Sequence, residues 1–338
     1  MLRCIQLAEN GLGNTYPNPL VGSVIVYENK IIGEGWHEQS GMPHAEVNAI
    51  ASVKDQSLLK DSTIYVSLEP CSHFGKTPPC ANLIIEKGIK TVIIGSMDPN
   101  PKVAGNGIKF LKDHGSYVVE RVLEKECNKL NKRFFTFFKK QRPYIILKWA
   151  ESSDGFISPK GKTEKRPVWI TNKKSRQLVH KWRAEESSIL IGTNTAIEDN
   201  PSLTTRDWEG NSPIRLVIDK SLKIPIDANV FDFKAKTIII TEVKKENEKN
   251  VIYELIDFSK NIATQIIELV YRYKIQSLIV EGGAKTLQTF IDKNLWDEAR
   301  IIKGIPFFKE GTKAPFINGK ICSESKIKQD TLKIVLND

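Results

Sequence analysis

Pro43-His44-Ala45-Glu46, followed by Leu68-Glu69-Pro70-Cys71 and then Pro78-Pro79-Cys80, is the stretch that decides how the chain is read. It supplies one imidazole, two thiols and a further carboxylate. Zinc favours imidazole and thiolate ligands, and three protein ligands leave a fourth position for water. The metal lowers the pKa of that water toward neutrality. Glu46, two residues beyond His44, is then free to carry a proton instead of binding metal, which is what hydrolytic deamination of a nucleobase needs. The expected ligands of a single zinc ion are His44, Cys71 and Cys80, and the expected acid–base group is Glu46.

The flanking sequence agrees with this assignment. Residues 45–54 have the pattern of an amphipathic helix with His44 at its start. Residues 62–69 read as a strand that delivers Cys71 at its C-terminal end. Pro78-Pro79 precede Cys80 and a second helical run, 80–87, stopped by Gly88. Both cysteines then lie near helix starts, where the dipole favours thiolate. The competing reading is two buried structural cysteines and a helix-capping histidine; it is disfavoured because ligand types and structural contexts coincide. The spacing is Cys-x8-Cys, not the commoner Cys-x2-Cys of deaminases.

That longer spacing carries a family resemblance. The run from Leu68 to Cys80, with Ser72-His73-Phe74-Gly75-Lys76-Thr77 inside it, closely resembles the deaminase half of the bifunctional riboflavin biosynthesis proteins. So do Thr15-Tyr16-Pro17-Asn18-Pro19-Leu20-Val21-Gly22, Gly33-Glu34-Gly35-Trp36-His37-Glu38, and Asp98-Pro99-Asn100-Pro101 with Gly105 and Gly107. The resemblance implies that Asn18, His37, His73 and Lys76 line the pocket for a phosphorylated ribosylaminopyrimidine. An amide can hydrogen-bond a pyrimidine edge in two directions, and Lys or His can face a phosphate. Taken singly, His37 and His73 read as solvated loop residues.

At 338 residues, the chain is long for one core, and two domains are expected. No run of eighteen apolar residues is present, so no membrane span is expected. The first residues read as a short helix closed by Gly11, without the layout of a signal peptide. Five cysteines over this length do not form a disulfide framework. Cys4, Cys127 and Cys322 read as ordinary thiols in a reducing cytoplasm. The net charge of +10, from 50 basic and 40 acidic residues, suits either nucleic acid or small anionic substrates. The basic residues are scattered over surface runs, so no nucleic-acid partner is expected.

Residues 123–140 read as one helix, and Gln141-Arg142-Pro143 breaks it. The boundary falls there, giving domains 1–141 and 142–338. Beyond it, strands at 144–150, 188–192, 214–219, 236–241 and 277–281 alternate with helices at 172–187 and 261–274. This alternation predicts an α/β domain with a largely parallel sheet. A strand ending in Glu281-Gly282-Gly283 with a helix starting at once can bring phosphate to backbone N–H groups. By itself, such a pair of glycines is more often a tight turn, and it is not a dinucleotide fingerprint.

Leu147-Lys148-Trp149-Ala150, Ser152-Ser153-Asp154-Gly155, Trp169-Ile170-Thr171, Trp182-Arg183-Ala184, Gly192-Thr193-Asn194-Thr195 and the run from Asp199 to Arg206 follow in order before Glu281-Gly282-Gly283. Together they resemble the reductase half of the same proteins over residues 143–304; from Lys309 onward the match is loose. The implied fold class is α/β, a cytidine-deaminase-like three-layer α/β/α domain followed by a dihydrofolate-reductase-like domain. The implied second cofactor is NADPH, contacted by Glu151, Trp169, Thr195, Asp199, Lys220, Gly283, Ala284, Lys285 and Thr286. The implied substrate contacts are Arg183, Leu203, Arg206 and Glu281. Lys148 reads as either catalytic or structural. Ser153, Phe156, Pro167, Ser188 and Asn200 depart from the family's usual residues.

The implied chemistry is deamination of 2,5-diamino-6-ribosylamino-4(3H)-pyrimidinone 5′-phosphate, then NADPH-dependent reduction of its ribosyl group to ribityl. A cytoplasmic homo-oligomer, dimer or tetramer, with small-molecule substrates is expected. Three other readings stand beside this one. A transfer-RNA or nucleoside deaminase predicts Cys-x2-Cys and no NADPH site. A nucleic-acid-binding relict predicts broken metal ligands. A chain with only one active half is compatible with the departures in the second half.

Overall fold

Along the segment Gly22–Tyr27, successive side chains turn to opposite faces of a sheet, as the period of two demands. Ile25 packs with Ala49 and Ile50 on one side, and Val24 packs with Cys4 and Leu7 on the other. This alternation sets the first of two units, Met1–Gln141 and Arg142–Asp338. The computed structural model describes residues 1–72, 78–101, 103–162 and 167–337. No helix among them is long and apolar enough to cross a membrane.

The first unit runs α1 (Leu2–Glu9), β1 (Gly22–Tyr27), β2 (Lys30–Trp36), α2 (Ala45–Ser52), β3 (Thr63–Val66), α3 (Cys80–Glu86), β4 (Thr91–Ile94), α4 (Asn106–Asp113), β5 (Tyr117–Val119), α5 (Glu124–Leu130) and α6 (Lys132–Lys140). Its sheet has the order β2-β1-β3-β4-β5. Strands β3, β4 and β5 are parallel, and β1 is antiparallel to both neighbours. Glu28 and Asn29, both with positive φ, make the two-residue turn between β1 and β2. Residues of α2, α3 and α4 bury one face, and α1 covers the other, giving three layers.

Two local expectations change. Strand β3 is shorter than 62–69, yet the chain stays tethered beyond it: Ser67 N–H donates to Gly22 O (3.1 Å) and Glu69 N–H to Ser96 O (2.9 Å). The single helix expected over 123–140 is two, broken at Asn131. The buried Asn131 amide donates to Leu20 O and accepts from Leu20 N–H, both at 2.8 Å, as a neighbouring strand would.

The second unit runs β6 (Tyr144–Glu151), β7 (Phe156–Pro159), α7 (Lys173–Glu185), β8 (Ser188–Gly192), α8 (Thr193–Asp199), β9 (Ile214–Ile218), β10 (Thr237–Thr241), β11 (Val251–Leu255), α9 (Ile262–Arg272), β12 (Ser277–Val280), α10 (Ala284–Asp292), β13 (Glu298–Lys303), β14 (Gly311–Lys313), β15 (Lys320–Ile327) and β16 (Asp330–Leu336). The large sheet has the order β11-β10-β9-β8-β12-β6-β13-β16-β15. It is parallel from β11 to β13, then closes with the antiparallel hairpin β15–β16. Strands β7 and β14 form a separate small pair.

Strands β8 and β12 are neighbours whose onward helices lie on opposite faces. Ala196 of α8 packs with Trp182 and Ile189, whereas Phe290 of α10 packs with Leu147 and Ile266. Such a reversal of direction leaves a crevice at the carboxyl ends of the two strands, where α/β sheets hold their ligands.

The C-terminal hairpin, loosely defined in sequence, also fixes α7. Buried Asp330 accepts from Asn172 N–H (2.8 Å) and Ser175 Oγ–H (2.6 Å), and Asn172 Nδ2 donates to Ile327 O (2.7 Å). Asn172 itself caps α7 by accepting from Lys174 and Ser175 N–H. Asp330→Ala is expected to lower the unfolding free energy by about 2–3 kcal/mol, because hydrogen bonds to a charged acceptor are lost and their donors stay buried. Urea denaturation measures the difference.

Candidate functional site

In the first unit, His44 is the residue that precedes α2, Cys71 follows the extended segment after β3, and Cys80 opens α3. The three donor atoms lie within 4.8 Å of one another. His44 Nδ1 is 3.2 Å from Cys80 Sγ and 3.6 Å from Cys71 Sγ. Tetrahedral zinc with Zn–S near 2.3 Å and Zn–N near 2.0 Å separates its ligands by about 3.5–3.8 Å. The donor set and its spacing therefore fit zinc. Cys80 N–H also donates to Cys71 Sγ (3.3 Å). Hydrogen bonds from Cys80, and then from His44, outweigh burial and hold the Cys71 thiol well below its ordinary range. A thiolate is the form that binds metal.

Glu46, in the first turn of α2, is buried beside these donors. Burial, reinforced by the charge of Cys71, pushes its carboxyl up to about 7. A group that titrates near neutrality can both accept and release a proton. His37 lies edge-on to His44, with ring centroids 5.4 Å apart. Its Nδ1 is 3.0 Å from Pro43 O, so Nδ1 carries the hydrogen and Nε2 accepts from Asn18 Nδ2 at 3.0 Å. Burial lowers the pKa of His37 and keeps it neutral. Asn18 and His37 thus form one bonded pair next to the donor cluster, while His73 and Lys76 lie outside the described residues.

One residue of this unit was quoted in the motif without a role. Glu69 is buried, and its carboxylate accepts four main-chain N–H bonds: Asp98 (3.2 Å) and Gly105 (3.0 Å) at Oε2, Gly107 (2.9 Å) and Ile108 (3.3 Å) at Oε1. It ties Asp98 and the start of α4 to the segment that carries Cys71. Gly107 is required for this approach, since a Cβ there would stand 2.0 Å from Pro70 O. The closely spaced glycines were the available signal; a bulk-free loop has to be packed against something. Glu69→Gln, which turns an amide NH2 toward main-chain donors, should speed hydrogen exchange at Gly105, Gly107 and Ile108 by about 30- to 100-fold (~2–3 kcal/mol).

In the second unit, the C-terminal ends of the parallel strands collect the residues singled out in sequence. Glu151 ends β6, Gly192 to Thr195 span the end of β8 and the start of α8, Lys220 follows β9, and Glu281 to Thr286 join β12 to α10. The β8 and β12 ends meet closely: a Cβ on Gly192 would stand 2.7 Å from Thr286 Oγ1. Gly283, with φ +65°, places its backbone beside Thr195 Oγ1. Glu281 is largely buried, and each of its oxygens meets one cation: Oε1 accepts from Lys148 Nζ on β6 and Oε2 from Arg183 Nη2 on α7, both at 2.8 Å.

Arg183 also reaches Thr204 O at 3.4 Å, which draws in the loop carrying Leu203 and Arg206. Leu203 is buried with φ +57°. Arg206 is exposed as a residue, but its guanidinium is partly desolvated, and this together with the nearby Arg183 charge lowers its pKa. His180, one turn before Arg183, accepts from Arg206 N–H at 3.1 Å. The other expected cofactor residues have partners of their own. Asp199 pairs with Lys162, exposed Trp169 lies under the Arg176 guanidinium (4.1 Å), Glu151 accepts from Trp149 Nε1 (2.9 Å), and exposed Lys220 pairs with Glu242 (3.5 Å).

Burial alone would raise the pKa of Glu281, but Arg183 and Lys148 outweigh it and hold the carboxyl at about 2. Its folded-state pKa is depressed, so its stabilising contribution is complete above the ordinary value of 4.5 and is lost as pH falls through about 2. Glu281→Gln is expected to be less stable than the parent protein at neutral pH. The difference between their urea midpoints should shrink as pH drops below 4.5.

Both halves of the chain match known proteins of one family. Residues 1–96 match the cytidine and deoxycytidylate deaminase zinc-binding region, and residues 143–308 match the RibD C-terminal domain. The riboflavin biosynthesis protein RibD of Aquifex aeolicus is 41% identical over 322 residues, covering 92% of this chain and 87% of that protein. A diaminohydroxyphosphoribosylaminopyrimidine deaminase/5-amino-6-(5-phosphoribosylamino)uracil reductase from Thermotoga maritima superposes with a TM-score of 0.90 at 38% identity, covering 99% of this chain and 97% of that one. RibD of Acinetobacter baumannii gives the same TM-score at 30% identity and the same coverage. The chain therefore belongs to the RibD family of riboflavin biosynthesis proteins, in which a zinc-binding deaminase region and a reductase domain are joined in one polypeptide.

Proposed function

We propose that the chain carries out two successive reactions of riboflavin biosynthesis, deamination in residues 1–141 and NADPH-dependent reduction in residues 142–338. The substrate of the first is 2,5-diamino-6-ribosylamino-4(3H)-pyrimidinone 5′-phosphate, and the second turns the ribosyl group of the deaminated product into ribityl. The observation that carries this reading is the cluster of His44, Cys71 and Cys80 with buried Glu46 beside it, in a chain whose other half has its own charged site. Zinc held by the three donors supplies a Lewis acid and a water of lowered pKa.

Glu46 takes a proton at its carboxylate and returns it to the departing amine. Burial suits it to both tasks by bringing its pKa near neutrality. Asn18 and His37 orient the pyrimidine. The bond to His37 directs the Asn18 amide, so its oxygen is presented for a ring N–H or amine. His73 and Lys76 are assigned to the same pocket from the family resemblance.

In the second unit, NADPH supplies the hydride equivalent when bound, and the protein mainly aligns donor and acceptor carbons. Trp169, Thr195, Asp199 and the turn from Gly283 to Thr286 are assigned to the cofactor, with Glu151 and Lys220 at its margin. Arg183 and Arg206 hold the substrate phosphate, for which the guanidinium fork is suited. Leu203 packs under that loop. Glu281 spends one acceptor site of each oxygen on Lys148 and Arg183, and its remaining lone pairs suit substrate N–H or hydroxyl groups. Lys148 holds Glu281 ionised.

The protein is proposed to act in the cytoplasm as a homo-oligomer, a dimer or tetramer. The five cysteines are unpaired, which suits a reducing compartment. The exposed edge strand β15 and the exposed side chains of Ile305, Phe307, Phe316 and Ile321 support association of the second unit.

Glu46→Gln should lower ammonia release from the diaminopyrimidinone phosphate by about 10²- to 10⁴-fold. NADPH oxidation on the separately supplied deaminated product should be unchanged. Loss of both activities would reject the division of labour between the units.

A further inference from the structure

We propose that His180 is a positioning residue for the reduction, whose Nδ1 fixes the main chain of Arg206 so that Arg206 and Arg183 face one phosphate. This rests on the reading that these two arginines take the substrate phosphate. His180 and Arg183 are three residues apart on α7 and share a helix face. Arg183 Nη2 points to Glu281, and His180 accepts the Arg206 N–H at 3.1 Å. One helix therefore carries the first guanidinium and holds the backbone of the second.

The loop that bears Arg206 needs such a hold. Asn200 and Leu203 both have left-handed backbone, with φ +40° and +57°, and such conformations persist only where surroundings impose them. The earlier part of the loop is anchored by Arg215 Nη1 on Ser202 O (3.2 Å) and by Ser212 Oγ accepting from Thr205 N–H (3.1 Å). His180 anchors Arg206 itself. Around Arg206, desolvation and the Arg183 charge act against the carboxylates of Asp207 and Glu281, so the position of its main chain sets how the two guanidinium groups stand to each other.

The chemistry of the ring suits this task. A main-chain N–H can only donate, so Nδ1 accepts and the hydrogen sits on Nε2, which faces Asp207 Oδ2 at 3.6 Å. Burial, with the Arg183 and Arg206 charges, keeps the imidazole neutral, with its pKa down to about 4. The acceptor is thus preserved between two cations.

The test uses the full-length zinc-loaded protein and NADPH oxidation on the deaminated ribosylaminouracil phosphate and on its phosphate-free counterpart. The readout is the phosphate preference, the ratio of kcat/KM for the two. His180→Leu removes the acceptor and should lower that preference about tenfold through KM. His180→Asn places Oδ1 near the Nδ1 position and should restore most of it, whereas His180→Gln, whose polar end is one bond further out, should not. Arg206→Ala is the control for the underlying reading and should abolish much of the preference. If Arg206→Ala leaves the preference intact, the phosphate assignment fails. If Arg206→Ala lowers it but the Leu and Gln variants match the parent protein, His180 has no positioning role. If the Leu variant does not fold, equal behaviour of the Asn and Gln variants overturns the proposal. Deamination by the same samples reports on the integrity of the other unit.

Discussion

A carboxylate taken out of water must be met by donors or cations, and both units are organised around that requirement. Removing one partner from such a group is far more costly than the net stability of the pair suggests, since the remaining charge is left in a medium that cannot solvate it. Glu69 meets the requirement with four main-chain N–H groups and so ties a distant loop to the Cys71 segment. Glu281 meets it with one cation from β6 and one from α7. Asp330 meets it with the main chain and a hydroxyl at the start of α7. Each of these anchors joins elements far apart in sequence.

The sheet of the second unit explains why its site lies where it does. The chain runs from β6 outward to β11 and then returns through β12 and β13, so β8 and β12 are adjacent although they belong to opposite directions of travel. Their onward helices must leave on opposite faces, and the strand ends between them are left uncovered. Gly192 and Gly283 allow those ends to come close, and Lys148 reaches Glu281 across adjacent strands. The loop bearing Arg206 is the part least determined by the sheet, which is why side chains from α7 and β9 have to hold it.

Much of this was legible in sequence where one residue type has few alternative uses. The donor set His44, Cys71 and Cys80 is of that kind, as are the buried parallel strands such as Ser188–Gly192, whose continuous apolar runs have no helical periodicity. Other features left little local trace. Asn131 breaks a helix by bonding to Leu20, 111 residues away, with no Gly or Pro to mark it. Strand β15 is exposed almost throughout and lacks an apolar pattern, so the closing hairpin was not visible. Glu69 and His180 look like ordinary polar residues because their partners are main-chain groups, which carry no sequence signal. Glu281 was visible as a strand-end carboxylate, but its bridging of Lys148 and Arg183 depends on strand order.

The two glutamates at the centres of the sites show how environment sets the role of one residue type. Both are withdrawn from solvent, a change that by itself favours the neutral acid. At Glu46, burial and the Cys71 charge act in the same direction and outweigh His44, so the carboxyl rises to about 7. Glu281 has two cations, which overcome burial and hold it at about 2. The first can therefore exchange a proton under neutral conditions, while the second stays ionised at neutral pH. In the proposed reactions the first would move a proton and the second would orient substrate. Placing them in separate units, each with its own set of neighbours, lets one chain hold both charge states at a single pH.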